Sequence, residues 1–561
     1  MKIFLVFLFF TLVQLCWTQE NYTLMFTNPE YKVIKKNIPK TFKDSLQLFK
    51  YLKSIQNTAI KKGYLLSSFD TISYQNKNVK AHFSLGKKFG KANLSITTEN
   101  LSLLKNSMNI SEKLIQNIDF TPLQISSILK NIYKTLENNG YPFAKVWLSN
   151  IEIKDDQLSA EVSIEKEQYY EWNKINLKGD NSISEIFITN LIGIKVGTSY
   201  NQSDFKKISK RLKQANFISE IKPAEILFTK DGVELFLYLK SNPISSANGV
   251  IGFQPDPTTN NLNLTGDLSL KLVNVIKRGE LLELNWKSIK DQTQSLNTKL
   301  NYPFLFNTNF GIDGQFQLYK LDSSFLELKS SIGVQYFMKG GNYIKLFYQN
   351  ISSNVITKNV STNLMGNVNT NNYGLALYKR QFDYIPNPTN GFSINTELSI
   401  GSRKSTISDT STTITSTTYR GEISLEWVYP LHKRHVLYFS NFSAFYHAPI
   451  IFQNEVERFG GQTSQRGFNE QELFATTKTT SRVEYRFLVD KNSRAFLFYD
   501  QTWYENNAAS YYQDSPFGFG AGFSFGTNIG TFSLSYALGK QYSNPILLRD
   551  GKIHFGYISY F

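Results

Sequence analysis

After Cys16 the chain has no cysteine, which excludes disulfides, Cys-based metal sites and thiol catalysis from everything downstream. It also has no later apolar run of about 18 residues, the length a helix needs to cross a bilayer. Histidine is scarce, with 5 in 561 residues, and no acids cluster beside them, so no metal site is expected. No Gly-x-x-x-x-Gly-Lys loop is present to cradle a phosphate. No cofactor and no nucleic-acid partner is therefore expected.

What is present begins with an export address. Met1-Lys2 precedes an apolar core from Ile3 to Val13, and polar Thr18-Gln19-Glu20 follows, so residues 1–18 read as a secretory signal. Cys16 raises lipid attachment, but Val13-Gln14-Leu15 lacks the small residue such sites want ahead of the cysteine. The exported remainder is aromatic-rich, with Phe, Tyr and Trp at 15% of the chain. Without a spanning helix it is either a large soluble β-protein or a transmembrane β-barrel, whose strands give a weak hydropathy signal.

Charge divides unevenly along the chain. Residues 250–561 hold 28 Lys and Arg against 23 Asp and Glu, so +5 of the net +16 lies there and +11 lies ahead of it. A basic N-terminal half could attract anionic headgroups or acidic segments of other chains. A Lys/Ile/Asn-rich compositional bias on a solvated surface would look the same.

The N-terminal half repeats itself. Residues 169–245 read strand, helix, helix, strand, strand, from Tyr170–Leu177 to a hairpin across Lys230-Asp231-Gly232. The first helix carries Ile186, Leu191 and Ile192, and the second Phe205, Ile208, Leu212 and Ala215. A copy at 92–168 has a helix from Thr121-Pro122, a Gly140-Tyr141-Pro142 stop and strands at 146–148 and 158–164. A fainter copy at 19–91 lacks a clear opening strand. The last-strand positions Val79, Leu158 and Val233 recur at similar spacing, which marks repeats.

From residue 250 the period becomes two. Phe519, Ala521, Phe523 and Phe525 alternate with Gly520, Gly522 and Ser524, and Ile423, Leu425, Trp427 and Tyr429 alternate with smaller or polar residues. One large apolar face and one small or polar face suit lipid outside and a lumen inside. Aromatics crowd strand ends at Trp427-Tyr429, Trp503-Tyr504 and Tyr557-Tyr560-Phe561, where membrane interfaces would place them. Residues 250–561 have room for about 16 antiparallel strands of roughly 10 residues each. The Asn/Ser/Thr stretches 350–372 and 402–418 read as loops.

Within this half, Arg466-Gly467-Phe468 forms the tip of a polar segment, and Glu484 and Asp500 lie on later alternating strands. Together with Phe498-Tyr499-Asp500 and the turn Asn387-Pro388-Thr389-Asn390-Gly391, these motifs resemble the BamA/TamA family of outer-membrane assembly factors. The repeat order resembles that family's periplasmic POTRA domains. The resemblance implies a transmembrane β-barrel of 16 strands (250–561) preceded by α+β POTRA-like units. It implies a sixth extracellular loop that folds into the lumen, with Arg466, Gly467 and Phe468 at its tip and Glu484, Phe498 and Asp500 facing it. His554, Gly556 and Phe561 resemble the C-terminal signal by which such barrels are recognised for insertion, with Ser559 where the family prefers an apolar residue.

A role follows from the resemblance: capture of unfolded outer-membrane or secreted client chains by exposed sheet edges, then insertion or translocation at a seam between first and last strands. Outer-membrane lipids and accessory periplasmic or lipoprotein subunits would be its other partners. A transporter for one exoprotein and a passive pore with a periplasmic scaffold remain open. No catalysis is expected. Gly522-Phe523-Ser524-Phe525-Gly526 fits a hydrolase pattern, but a nucleophile elbow needs a strand-turn-helix, whereas Ser524 sits inside an alternating strand.

Overall fold

A computed structural model describes residues 21–96, 118–119, 121–154, 157–180, 182–255, 262–288, 293–356, 365–385, 387–407, 413–508, 510–527 and 530–559. Residues 1–18, expected to be a secretory signal, and Phe561 lie outside the described residues. The chain forms two compact units, one of residues 1–171 with 199–202, the other of 172–198 with 203–561.

The first unit holds two α+β repeats. In repeat one, β1 (Tyr22–Phe26), β2 (Thr41–Phe42), β3 (Ser68–Gln75) and β4 (Asn78–Ser84) form a sheet ordered β2-β1-β4-β3, covered by α1 (Ser45–Lys61). An opening strand therefore exists: β1 runs parallel to β4. It escapes sequence reading because Met25 is exposed and only Leu24 is fully buried, so its alternation is faint. Asp44 caps α1 by accepting from Gln47 N at 2.7 Å. Leu48 and Leu52 then pack on Val79 and Ala81.

Repeat two comprises β5 (Lys91–Ser95), β6 (Ile118–Asp119), α2 (Pro122–Asn138), β7 (Lys145–Lys154) and β8 (Gln157–Glu165), ordered β6-β5-β8-β7. Thr121 caps α2 and Pro122 occupies its first turn, where the missing N–H costs nothing. Ile125, Ile132 and Leu136 bury against Leu158, Ala160 and Val162.

Repeat three lies in the second unit. β9 (Trp172–Gly179) runs parallel to β11 (Gly232–Ser241), which pairs antiparallel with β10 (Ile218–Thr229). The first helix is α3 (Glu185–Ile192), ended by Gly193 at φ +67°. The expected single second helix is two short ones, α4 (Gln202–Lys206) and α5 (Ile208–Leu212). The Lys207 N–H bonds back three residues to Asp204 O at 3.1 Å, a tight turn that interrupts the ladder.

The barrel follows as an antiparallel meander. Its first wall is β12 (Ser246–Pro255), β13 (Leu262–Val273), β14 (Leu281–Ser288), β15 (Gln294–Tyr302) and β16 (Phe310–Leu321). Next come β17 (Phe325–Phe337), β18 (Tyr343–Val355), β19 (Gly366–Phe382), β20 (Gly391–Ile407), β21 (Thr413–His432) and β22 (His435–His447). A long connection carries the short hairpin β23 (Glu457–Phe459) and β24 (Leu473–Ala475). The wall resumes with β25 (Thr477–Leu488), β26 (Arg494–Asn506), the short β27 (Tyr512–Asp514), β28 (Phe517–Thr527), β29 (Gly530–Lys540) and β30 (Lys552–Ser559). Apart from β27, sixteen strands form the wall. The sheet ends, β12 and β30, approach within 8 Å without hydrogen-bonded pairing among the described residues.

Alternation sorts side chains as the sequence suggests. On β17, Ile332, Val334 and Tyr336 face outward and are exposed, whereas Glu327, Gln335 and Phe337 are buried inside. The two Asn/Ser/Thr stretches, by contrast, are mostly strand. β18 pairs with β19 up to Ser353–Val368, and β20 pairs with β21 up to Thr406–Thr413. Thr suits the pleat, and inward Thr370, Asn372 and Thr418 are fully buried, so polar composition there marks the lumen wall rather than a loop.

Repeat three is docked on the turns at one barrel end. Phe187 packs on Phe217 and Phe304, with ring centroids at 5.2 and 5.6 Å, and Phe304 packs on Phe337 at 5.1 Å. Gln214 grips Phe382 twice, donating to its O at 2.9 Å and accepting from its N at 3.3 Å. Asp204 lies between Arg211 (2.6 Å) and Lys339 (2.7 Å).

Candidate functional site: a loop clamped across the barrel lumen

The β22–β25 connection turns into the lumen, where the guanidinium at its tip meets carboxylates on the barrel wall. At its tip, Arg466 Nε donates to Asp500 Oδ2 at 2.8 Å and Nη2 to Oδ1 at 2.6 Å, a bidentate fork. Nη1 donates to Glu484 Oε1 at 2.7 Å. The backbone N–H of Arg466 adds a bond to Asp500 Oδ2 at 3.2 Å. The guanidinium carbon sits 3.5 Å from the Phe498 ring centroid, over its electron-rich face. Strand alternation supplies this geometry, since Glu484 on β25 and Phe498 and Asp500 on β26 all point inward and are buried.

Residues that sequence reading missed complete the cluster. Arg482 Nε donates to Asp500 Oδ1 at 3.0 Å, and Arg486 Nε to Glu484 Oε2 at 2.8 Å. Each acid is thus shared by two arginines. Inward parity on β25 could have flagged both. Gln465 donates to Asp500 O at 3.3 Å.

Glycine makes room for the tip. Gly467 has φ +91°, and a Cβ there would lie 2.7 Å from Gly539 N. Side chains on Gly518 or Gly539 would collide with Arg466 O or Gly467 O, respectively. The tip is therefore seated against β28 and β29, and Phe468 buries with Phe459, Leu473 and Tyr504.

A second attachment holds the loop's root to a different part of the wall. Glu455 accepts from Arg403 Nε at 2.9 Å and Nη2 at 2.6 Å, from Tyr446 Oη at 2.6 Å and from Phe452 N at 3.0 Å. Asn454 donates to Ser353 Oγ and Gly366 O, both at 2.8 Å. Root contacts thus fall on β18, β19, β20 and β22, and tip contacts on β25, β26, β28 and β29. Beside the loop a polar cavity of about 480 Å³ remains, lined by Glu426, Tyr438, Glu457, Glu470 and Arg482 among others.

Of the C-terminal trio, His554 and Gly556 lie on β30 and pair with Ser535 and Ser533 of β29, respectively. Phe561 lies outside the described residues. The turn at 383–391 is braced by Asp383, which accepts from the backbone of Thr389 at 2.9 Å and Asn390 at 3.1 Å. Its Asn387 accepts from Arg494 at 2.9 Å. Ser524 stays in mid-strand on β28. His432 and His435 form a turn with ring centroids 6.1 Å apart.

No family model matches the sequence. No curated protein matches it either. Among solved structures, CdiB from Acinetobacter baumannii superposes with a TM-score of 0.54 at 14% identity, covering 92% of this chain and 97% of that one. CdiB from Escherichia coli gives 0.53 at 13% identity, with the same coverage of each chain. BamA from Haemophilus ducreyi lacking POTRA domains 1-3 gives 0.42 at 15% identity, over 83% and 98%.

Proposed function

From a chain that shares the repeat-and-barrel fold of the CdiB proteins, we propose an outer-membrane factor that inserts or translocates other polypeptides. The barrel spans the outer membrane and the α+β repeats stand in the periplasm. The observation that carries this reading is the Arg466 clamp. A loop clamped across the lumen narrows the passage at rest, and a passage for polypeptides needs a constriction that can be removed. The clamp is ionic and hydrogen-bonded, so it can exchange partners without breaking covalent structure.

Client chains enter by strand addition. β7 is an outer strand of repeat two, and β9 and β10 are the outer strands of repeat three. A sheet edge offers main-chain donors and acceptors to an extended segment. The two sheet ends β12 and β30, which no strand ladder joins among the described residues, supply a seam for strand release. No bond-making step is assigned to the protein.

Depleting the protein and inventorying the outer membrane and the medium tests the reading. Loss of many barrels marks a general assembly factor, and loss of one exoprotein marks a dedicated transporter. An unchanged inventory of both would overturn the proposal in favour of a passive pore.

A further inference from the structure

The connection between β29 and β30, residues 541–551, folds against the outer face of the barrel. Parity on β29 establishes the sides. Gly539 meets the lumen loop at Gly467, so Tyr536, of opposite parity, faces outward. The Tyr536 hydroxyl donates to Leu548 O at 2.6 Å. A Cβ on Gly551 would collide with the same tyrosine ring. Tyr536 lies four residues inside the end of β29, roughly 13 Å along the strand at ~3.3 Å per residue. The connection therefore bends back along the outer wall.

What it presents there is apolar. Leu548 is 77% exposed, Ile546 and Leu547 are also exposed, and they continue the outward row formed by Tyr536, Ile553 and Phe555. Irregular backbone stays out of the hydrocarbon layer, so only the side chains of such a segment can reach into it. Two of its carbonyls are held within the fold: Leu547 O accepts from Asp550 N at 3.0 Å, and Leu548 O accepts from Gly551 N at 3.1 Å as well as from Tyr536. Arg549 follows directly, with an 83% exposed side chain 3.9 Å from Asp550; a long exposed cation of this kind can reach a membrane surface.

We propose that residues 546–549 form a lipid hook, with Ile546, Leu547 and Leu548 entering the acyl layer of the outer leaflet beside the β30 end of the seam. The occupant is the lipid that already surrounds the barrel, because the apolar patch is continuous with the lipid-facing wall. The inference rests on the barrel spanning a membrane. The hook tethers the last hairpin to the bilayer, so that the β30 edge moves with the lipid.

The test uses full-length protein, Cys16→Ser, in phospholipid vesicles. An environment-sensitive fluorophore is attached at Leu548→Cys, at Ser510→Cys in another exposed loop, or at Phe523→Cys on the outward face of β28. Doxyl-labelled phospholipid serves as quencher. The Leu548 and Phe523 probes should be blue-shifted and lose most of their emission, whereas the Ser510 probe should stay water-like. Adding Tyr536→Phe should move the Leu548 probe toward water-like emission and leave the Phe523 probe unchanged. A water-like, unquenched Leu548 probe beside a quenched Phe523 probe would overturn the hook alone. An unquenched Phe523 probe would sink the membrane reading and the hook with it. A Leu548 probe unmoved by Tyr536→Phe would remove the tyrosine anchor.

Discussion

Arg466 is held by a fork that only a guanidinium can fill. Lysine would keep the charge but could not bond Asp500 bidentately while also reaching Glu484. Breaking one partner of a buried pair costs ~3–5 kcal/mol, because the other charge is left uncompensated. Arg466→Ala should therefore lower the temperature at which the detergent-solubilised barrel unfolds, read as the band shift between cold and heated gels, and Arg466→Lys should recover only part of it. Asp500→Ala should be at least as damaging as Glu484→Ala, since Asp500 also accepts from the Arg466 backbone. Combined with Arg466→Ala, each acid variant should be less than additive; strict additivity for both would show that the arginine couples to neither. The glycines opposite the tip make a separate prediction. Gly518→Ala places a methyl against Arg466 O, so it should loosen the clamp with every charge intact. Protease cleavage within 460–475 would report that release, and a loop as resistant as wild type would refute the seating.

At the scale of elements, the loop is a strap with two ends, and the second end was not legible in the sequence. The tip was expected from the resemblance of Arg466-Gly467-Phe468 to a family motif, and alternation alone turns Glu484 and Asp500 inward. The root could not be read, because Glu455 and Arg403 are 52 residues apart and join only once the barrel closes. Parity on β20 does place Arg403 inside, which is a sequence-level sign of an inward charge needing a partner. The long strands β18 to β21 were obscured for a related reason: their lumen faces are polar, and Asn and Thr resemble loop composition. The opening strand β1 was hidden by its faint alternation, with Met25 exposed and only Leu24 fully buried. If root and tip hold independently, Arg403→Ala and Arg466→Ala should add in their effect on loop protection by hydrogen exchange, and each alone should expose only its own end. Exposure of the whole 452–475 segment by either single change would show instead that the strap has one cooperative fastening.

For the whole molecule, the clearest division falls between repeats two and three rather than between repeats and barrel. Repeat three shares the barrel's unit, and its interface combines the edge-on and tilted ring contacts of Phe187, Phe304 and Phe337 with the Gln214–Phe382 pair and the Asp204 ion pairs. Burial works to raise the Asp204 pKa, but hydrogen bonds and charge from Lys339 and Arg211 hold it below the ordinary aspartate value. A carboxylate with a lowered folded pKa contributes stability that is complete above its unfolded value, near ~3.9, and is lost as pH falls through the folded one. Docking should thus be insensitive to pH near neutrality and weaken below about pH 4. Removing residues 21–171 should leave a barrel with unaltered heat-modifiability. Removing residues 21–241 should lower its unfolding temperature, because the aromatic faces of Phe304 and Phe337 lose their cover. In the shorter deletion, Asp204→Asn should reduce the unfolding temperature at pH 7 and flatten its decline between pH 5 and 3. An unfolding temperature equal in both deletions, or an acid decline unchanged by Asp204→Asn, would mean that repeat three is only tethered to the barrel and does not brace it.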